Sequence, residues 1–454
     1  MNNETLKLSE FVANIKYDKL PPEAVKEVKR RIADMVSIAI YASKEVAGTN
    51  IGKYAAKSSP PGKASIWSSG LKAAPAYAVM ANSGSVFHME LDDVHRLSHT
   101  HPAATSIPPA LAMAEVSGAS GKTVIEAIIA GFETVIRIGL GVSPSIFTSR
   151  ALMPCAQLGP MGTAAATGKI MGFSTDLMAG AIGAASFITP LTPVESYSKG
   201  ATIKEFSMGW AGFLGVMAAD MAQNGFVGSP YALETNFGYC INAADEYDVS
   251  RITKDMGGVY EILNTGIKPY AHCRQHHSTI DAILDVRKEQ KLDVEYPNIK
   301  SILVRTFLPA ARGVNKTFPT LSAAKYSVPY AVAISMVFGD AWIGQYVEEN
   351  LTDKRLLDIA SKVEVLHDLE LQKLYDDKWP AIVEIEMNDG KKINTRRDLM
   401  KGEPEYPLSD DDMHKKFTSL ATRVYDEAKV QRIWDKIFDI DKSDNITDLM
   451  SEFA

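Results

Sequence analysis

Two short stretches of this chain concentrate side chains that exchange protons near neutral pH. Residues 88–101 contain four histidines interleaved with three acidic residues, and residues 272–277 contain three more histidines. Together they hold seven of the nine histidines in the chain. Imidazole titrates close to pH 7, so such clustering indicates either acid–base chemistry or metal binding.

The residue types in the first stretch leave three interpretations. A divalent metal ion could be bound by His95, His99 and His101 with Asp92 and Asp93. The H-E-x-x-H spacing of a zinc protease is absent, which argues against a metal. The polar side chains could instead hydrogen-bond to one another and cap the next helix. We favour acid–base use of part of the cluster over the other two interpretations.

Two lysines lie in sequence contexts that are unusual for solvated lysines. Lys204 precedes a helix rich in small residues, and Lys268 is followed by Pro269, a histidine and an arginine. Proline favours an extended backbone before it, so Lys268 is expected on an ordered loop. A cationic cluster of this kind favours a carboxylate substrate and could stabilise a developing enolate.

Other motifs with a known chemistry are absent. Gly121-Lys122-Thr123 resembles the end of a phosphate-binding loop, but Val116 occupies the position of the required earlier glycine. No G-x-G-x-x-G follows a predicted strand, and no G-x-S-x-G is present. A dinucleotide cofactor and an α/β-hydrolase are therefore disfavoured.

The composition is that of an ordinary globular protein. The 454 residues include 48 Lys+Arg and 55 Asp+Glu, a net charge of −7, which disfavours binding to nucleic acid or to an anionic membrane. The three cysteines, Cys155, Cys240 and Cys273, are widely spaced, which suits a reducing compartment. No signal peptide and no membrane-spanning segment are evident, so we expect a cytoplasmic protein.

Hydrophobic periodicity predicts a helical protein up to about residue 265, with almost no convincing strand. The predicted helices cover 21–43, 105–117, 121–138, 157–171, 174–188 and 202–224. Gly118 and Gly172 lie where helices are expected to end. Gly, Ala, Ser and Thr dominate 159–185 and 208–222, which predicts closely packed helices.

The pattern changes near residue 265. Residues 300–307 and 381–387 are β-branched and partly alternating, which predicts strands, and Asn388-Asp389-Gly390 predicts a hairpin turn into a strand at 391–395. Predicted helices at 327–338 and 352–363 lie between the strands, and helices at 410–421 and 429–438 follow. The expected fold is mostly α: a helical domain of residues 1–265 plus 405–454, with an α+β domain of residues 266–404 inserted.

Several segments together resemble the MmgE/PrpD family, which includes 2-methylcitrate dehydratase, cis-aconitate decarboxylase and iminodisuccinate epimerase. The matching segments are 86–93, 101–102, 107–112, 131–139, 204–209, 225–234, 268–277, 327–330, 401–402 and 407–409. The order and spacing of these segments extend the resemblance over nearly the whole chain. The resemblance implies a homodimer with the active site between two domains, and no metal or organic cofactor.

The resemblance also implies roles for individual residues. The implied catalytic residues are His101, Lys204, Lys268, His272 and Tyr330, and the implied substrate-binding residues are Glu90, Asp93, Arg150, Cys273 and His277. Decarboxylase-like members carry a threonine where this chain has Val94 and histidines where it has Met153 and Cys273. These differences argue against cis-aconitate or 2-methylcitrate as the substrate.

Three functions follow. The leading one is a cofactor-free lyase that removes a proton next to a carboxylate of a small di- or tricarboxylate. The second is an epimerase or isomerase that uses the same carbanion. The third is a non-catalytic family member that binds carboxylates.

Overall fold

The computed structural model describes residues 3–198, 201–290, 298–375 and 377–453. The first nine helices are α1 Glu4–Ala13, α2 Pro22–Ala42, α3 Val46–Ser58, α4 Pro75–His88, α5 Pro102–Ser117, α6 Gly121–Val142, α7 Ser145–Thr148, α8 Pro154–Ile170 and α9 Thr175–Ile188. Next come α10 Glu195–Ser198, α11 Ser207–Gln223, α12 Tyr239–Ala243, α13 Ser250–Thr253, α14 His277–Gln290, α15 Leu308–Ala311 and α16 Leu321–Lys325. The last six are α17 Val328–Phe338, α18 Lys354–Ser361, α19 Leu369–Gln372, α20 Asp410–Ala421, α21 Glu427–Phe438 and α22 Thr447–Glu452.

The strands are few and short. They are β1 Ala64–Ile66, β2 Leu71–Ala73, β3 Ile299–Thr306, β4 Val363–His367, β5 Ala381–Met387 and β6 Lys392–Arg397. The chain divides into two compact units. The helical unit comprises Met1–Val194, Glu205–Thr265 and Ser409–Ala454, and the α+β unit comprises Glu195–Lys204 and Gly266–Leu408. The prediction of a mostly helical protein with a small α+β region is confirmed.

Local sequence signals set the ends of the long helices. Ser120 accepts a hydrogen bond from the Thr123 N–H and starts α6, and Gly118 ends α5 in the left-handed conformation, with φ of 70°. Gly172 follows α8 with φ of 72°. Both glycines therefore end helices, as predicted.

Small residues bring the central helices of the helical unit into close contact. A Cβ on Gly215 of α11 would overlap Thr163 and the Pro160 carbonyl of α8, and one on Gly209 would overlap the Met80 carbonyl of α4. No residue larger than glycine fits at these crossings without moving the backbone. This confirms the prediction of closely packed helices.

The sheet of the α+β unit has the strand order β4-β3-β5-β6. β3 pairs antiparallel with β5, with Ile302 opposite Ile385, and β5 pairs antiparallel with β6. Gly390 takes φ of 88° in the hairpin turn between β5 and β6. Alternating residues of β5 are buried, so its pattern of apolar residues determines which face packs on the core. The predictions for these three strands and their turn are confirmed.

Three sequence predictions differ from the structure. β1 and β2 form a hairpin in the region predicted to lack strands, because three-residue strands are too short to show alternation. The predicted helix at 352–363 ends at Ser361, and Val363 begins β4, which pairs parallel with β3. The predicted helix at 202–224 begins with a 3₁₀ segment, Thr202–Phe206, before α11.

Two further helices begin earlier than predicted. α5 starts at Pro102 and α8 at Pro154, because proline lacks an N–H and suits the first turn of a helix. Within the described ranges, no helix combines the length and the apolar character needed to cross a bilayer.

Candidate active site

In the helical unit, His101 lies next to the carboxylate of Asp92. It is the N-cap residue of α5, and its Nδ1 lies 2.8 Å from Oδ2 of Asp92. Asp92 is fully buried, whereas 17% of the His101 side chain is exposed. The Phe87 ring packs edge-on against the imidazole, with 5.2 Å between ring centroids. The buried carboxylate thus lies beside one ring nitrogen, and the partly exposed imidazole is placed where a small molecule could exchange a proton with it.

Asp93 holds the start of the helix that carries His101. Its Oδ1 accepts a hydrogen bond of 3.0 Å from the backbone N–H of Ala103 in the first turn of α5. Burial raises the pKa of Asp93 well above its usual value, the neighbouring Asp92 raises it further, and the charge of Arg31 opposes this rise. Asp93 therefore positions His101 through the helix, and its substrate-binding role stays a prediction.

A buried ionic group supports the loop before α5. Lys416 of α20 lies 2.6 Å from Oδ1 of Asp34 on α2, and its Nζ also donates to the Leu91 carbonyl at 2.9 Å. Burial raises the pKa of Asp34, and Lys416 and Arg31 lower it. Helices from both ends of the chain thus hold the loop that carries Asp92.

The neighbouring histidines have structural partners. Nδ1 of His95 accepts from the Ser98 backbone N–H at 3.2 Å and lies 2.8 Å from the Ser98 hydroxyl. His99 stacks on Phe147, with 5.9 Å between centroids. Burial lowers the pKa of His95 to about 3 and that of His99 to about 4. Both rings stay neutral at pH 7, so this part of the cluster fits the interpretation of a hydrogen-bonded loop.

Nδ1 of His88, at the end of α4, lies 2.9 Å from Oε2 of Glu205. Across the described ranges, no group of three or more His, Cys, Asp or Glu side chains is arranged to hold a metal ion.

Glu90 and Arg150 occupy different environments in the helical unit. Glu90 is buried in the same loop as Asp92 and takes φ of 56°. Arg150 is 43% exposed, and its Nε lies 2.8 Å from Oδ1 of the exposed Asp245. Met153, three residues after Arg150, accepts a hydrogen bond from the Ser207 hydroxyl at 3.7 Å.

In the α+β unit, Lys204 is buried and its Nζ donates to the hydroxyl of Tyr326. The ammonium group also lies 4.7 Å from the centroid of the Tyr326 ring. Sequence reasoning chose Tyr330 and missed Tyr326, although Tyr326 directly precedes the 327–330 segment that carried the family resemblance. The pair joins a cation to a phenol, a combination that can bind an anion or move a proton.

Lys268 is fully buried on a loop without regular structure. The loop is anchored by a hydrogen bond of 2.8 Å from the Ile267 N–H to the Gly402 carbonyl. Gly402 takes φ of 90°, and a Cβ there would overlap the Ile267 carbonyl. This explains the Lys401-Gly402 segment noted in the sequence. Because residue 402 is glycine, its segment can approach the Ile267–Lys268 segment closely enough to hold the Lys268 loop in place.

His272 lies at the centre of a buried hydrogen-bonded chain. Its Nδ1 is 2.7 Å from the hydroxyl of Tyr346, and its Nε2 is 3.0 Å from Nδ1 of His276. The Tyr346 ring also packs against Tyr330, with 5.6 Å between centroids. The structure thus brings together two of the predicted catalytic residues, His272 and Tyr330, through a tyrosine that sequence reasoning missed.

Tyr330 is fully buried, and its hydroxyl has no hydrogen-bond partner within the described residues. Burial and, to a smaller extent, the charge of Asp353 raise the pKa of Tyr330. The phenol therefore stays protonated at neutral pH. It can donate its proton to an acceptor that comes within reach.

Arg274 and His277 are engaged inside the protein. The Arg274 guanidinium donates to Glu403 at 2.6 and 3.0 Å and to Nδ1 of His277 at 2.9 Å. Nε2 of His277 then donates to the His272 carbonyl at 3.0 Å. Burial and the charge of Arg274 hold the pKa of His277 well below its usual value. Both ring nitrogens of His277 are occupied, so its substrate-binding role stays a prediction.

Cys273 is one of three buried cysteines that form no disulfide. Its backbone N–H donates to the Lys325 carbonyl at 3.0 Å, next to the Lys204–Tyr326 pair in sequence. The backbone of the Lys268 loop is thereby tied to α16.

The helical unit therefore contains a partly exposed imidazole beside a buried carboxylate, and the α+β unit contains buried lysines and the protonated phenol of Tyr330. Two family models match this chain. The model of the MmgE/PrpD N-terminal domain matches residues 6–251, and the model of the MmgE/PrpD C-terminal domain matches residues 270–440. The chain belongs to the MmgE/PrpD family, which confirms the resemblance seen in the sequence.

Curated relatives match along almost the full chain. A cis-aconitate decarboxylase from Aspergillus terreus is 26% identical over 98% of this chain and 95% of its own length. A cis-aconitate decarboxylase-like protein from Aspergillus oryzae is 24% identical over 99% of this chain and 97% of its own. The cis-aconitate decarboxylase of Mus musculus is 22% identical over 91% of this chain and 86% of its own. With the family match, these relatives identify a lyase of the MmgE/PrpD type.

Proposed function

We propose that this enzyme is a cofactor-free lyase that acts on a small di- or tricarboxylate by moving a proton next to a carboxylate. The observation that carries the proposal is the contact of 2.8 Å between His101 Nδ1 and the buried Asp92, with the imidazole partly exposed. A histidine that is oriented by a buried carboxylate and still reachable by a small molecule is suited to general acid–base catalysis.

In the proposed reaction, Nε2 of His101 takes or returns the proton on the carbon next to the substrate carboxylate. Asp92 stabilises the imidazolium that forms when the proton is taken. Removal of the proton leaves an enediolate, whose negative charge lies on the carboxylate oxygens. Loss of a leaving group from the neighbouring carbon, with its electron pair, then completes a lyase reaction.

The two buried lysines supply the positive charge that this intermediate needs. Lys204 and Lys268 would bind substrate carboxylates and stabilise the enediolate, because an ammonium group in a buried position acts strongly on a developing anion. Tyr330 or His272 would supply the second proton, since the Tyr330 phenol remains protonated at neutral pH.

The names of the relatives support a decarboxylase. In that case the bond between carbon and a carboxylate breaks, carbon dioxide leaves without the bonding electrons, and the electron pair that stays on the substrate is protonated by His101 or by Tyr330. Val94 and Met153 differ from the residues of decarboxylase-like members, so we propose a substrate that differs from cis-aconitate near these positions. The cytoplasmic location, the homodimer and the independence of metal and cofactor belong to the same proposal.

Proton NMR in D₂O tests this function. The purified protein, treated with chelator, is incubated with cis-aconitate, 2-methylcitrate, citrate and a panel of related di- and tricarboxylates. A new alkene or a decarboxylated product would support the lyase and identify its leaving group. Deuterium that enters an otherwise intact substrate would point to the epimerase. No reaction and no exchange across the panel would contradict the proposal.

A matched pair of variants ties the reaction to His101. His101→Asn should abolish most of the turnover, whereas His367→Asn, at an exposed position in the α+β unit, should leave it unchanged. Circular dichroism of both variants checks that the fold is retained. Full activity of His101→Asn would remove His101 from the mechanism.

A further inference from the structure

A cavity of about 220 Å³ in the helical unit contains none of the candidate active-site residues. It is lined by the end of α2, by α3, by the β1–β2 hairpin and by α4. We call it the hairpin cavity. Its volume is below the range of cavities for drug-sized ligands, so its occupant would be a small molecule or one group of a larger one.

The charged residues of the lining of the hairpin cavity are two lysines, Lys44 and Lys53. Five serine and threonine residues also line it, and three of their hydroxyls donate to backbone carbonyls, those of Ser43, Thr49 and Ser69. Over the described lining, no aspartate or glutamate balances the two lysines. Glu45 adjoins Lys44 in sequence but does not line the cavity. This donor set attracts an anion and has no carboxylate to bind a cation.

Trp67 supplies a second, independent observation. Its side chain lines the cavity and only 3% of the residue is exposed, yet its Nε1 has no hydrogen-bond partner among the described residues. Indole nitrogen is a donor only, and a buried donor without an acceptor is costly. An anion with several oxygens would satisfy this donor.

The walls around Trp67 are held in place. The backbone N–H of Trp67 donates to Oδ1 of Asn82 at 3.0 Å, and the Phe453 ring packs edge-on against the indole at 5.8 Å. Ser68 takes φ of 56°, its N–H donates to the Phe453 carbonyl at 2.7 Å, and its hydroxyl accepts from Tyr425 at 2.9 Å. A non-glycine residue in this conformation is uncommon and is found more often at binding sites.

We propose that the hairpin cavity binds a small molecule through a phosphate group. Lysine binds phosphate as a point charge, whereas planar carboxylates are usually bound by the two parallel N–H donors of arginine. The described lining contains two lysines and no arginine, which favours phosphate over a carboxylate. The indole N–H of Trp67 and the two lysines offer donors to different oxygens of a tetrahedral phosphate. The site is separate from the proposed carboxylate chemistry and does not depend on it.

Isothermal titration of the full-length protein with inorganic phosphate and with pyrophosphate tests the proposal. Lys44→Met and Lys53→Met should each weaken binding by roughly 3- to 10-fold. The matched control is Lys57→Met, which removes the same charge from an exposed position of α3 one turn beyond Lys53. Its affinity should equal that of the wild type. Binding should also weaken with added salt, because two of the contacts are ionic.

Trp67→Phe keeps an aromatic ring and removes the indole N–H. It should weaken phosphate binding by about tenfold, as expected for the loss of a hydrogen bond to a charged group. If this variant unfolds, the two lysine variants still decide the question. Titration of the Lys268→Met variant, which retains the hairpin cavity, separates this site from the catalytic lysines, and its phosphate affinity should be unchanged.

Three results would overturn the proposal. The first is that neither phosphate nor pyrophosphate binds at concentrations up to about 10 mM, which would mean that the cavity has no specific affinity for phosphate. The second is equal binding by the cavity variants and Lys57→Met. The third is tighter binding of citrate than of phosphate at this cavity, which would reassign the ligand to carboxylates.

Discussion

The two units use buried charge in opposite ways. In the helical unit, the carboxylates of Asp34, Asp92 and Asp93 are buried around the start of α5. The side chain of His101, which lies beside them, is partly exposed to solvent. In the α+β unit, the buried charges include the ammonium groups of Lys204 and Lys268, besides the ion pair of Arg274 with Glu403. A buried carboxylate favours an imidazolium, whereas a buried ammonium favours an anionic ligand. The first region is therefore suited to proton transfer and the second to holding negative charge.

The two regions also differ in how their backbones are held. His101 starts a helix, so the capping bond of Asp93 and the proline at the first position fix it locally. Lys268 lies on an irregular loop that Gly402, more than one hundred residues away in the chain, holds in place. Local signals thus position His101, whereas contacts between distant parts of the chain position Lys268.

Lys268→Met removes the charge on which the α+β unit depends and keeps most of the side-chain volume. We expect kcat/KM for the carboxylate substrate to fall by about 10²–10³, as for the loss of one electrostatic donor to a transition state. Lys373→Met, at an exposed position of the same unit, is the control and should behave as the wild type. Near-normal kinetics of Lys268→Met would show that the buried cation is not used.

Glu403→Gln tests whether a buried ion pair supports the α+β unit. Arg274 would lose the carboxylate that lies 2.6 Å from its guanidinium and remain as a buried charge, so we expect a loss of about 3 kcal/mol in unfolding free energy. Urea unfolding followed by circular dichroism measures this loss. In Glu386→Gln, the control, an exposed pair with Lys300 is broken, and stability should hardly change. Similar stability of both variants would show that Arg274 does not need its partner.

The neutral histidines of the helical unit predict sensitivity to acid. The pKa of His99 is about 4 in the folded protein, against an ordinary value of 6.5. Between these values the unfolded chain binds a proton that the folded chain does not, so stability is lost as the pH falls from 6.5 towards 4. At pH 5 the loss from His99 is about 2 kcal/mol.

His99→Asn should reduce this pH dependence, since asparagine accepts the φ of 55° at this position and does not titrate. Unfolding free energies from urea titrations at pH 5 and pH 7 give the comparison. His367→Asn is the control, and it should retain the full pH dependence. An unchanged slope in His99→Asn would contradict the assignment of a neutral buried imidazole.

Asp92→Asn is the subtlest change, because it keeps the shape of the side chain beside His101. We expect kcat to fall roughly tenfold with little change in KM, since the imidazole stays in place but its charged form loses its partner. A purely structural role would instead lower stability and leave the kcat of the folded fraction intact. Steady-state kinetics with urea unfolding on the same samples distinguishes the two outcomes.

Much of the candidate site was accessible from sequence because its signals are local. His101 precedes Pro102 at a helix start, and the capping carboxylate of Asp93 lies ten residues before Ala103, whose N–H donates to it. Lys204 and Lys268 stood out by context and by family resemblance, and both are buried. The residues that were missed, Tyr326 and Tyr346, became recognisable only through their partners in space.

The chain's periodicity, its helix-ending glycines and its Asp-Gly turn determined by themselves the long helices and three of the sheet strands. These features depend on residues within one or two turns of each other, where backbone preference and local capping decide. Tertiary structure alone decided which titratable groups are partnered. Lys204 meets a tyrosine 122 residues away, and His272 meets one 74 residues away. Burial, which sets the pKa of His99 and His277, is likewise a property of the packed protein, because desolvation depends on every element that surrounds the ring.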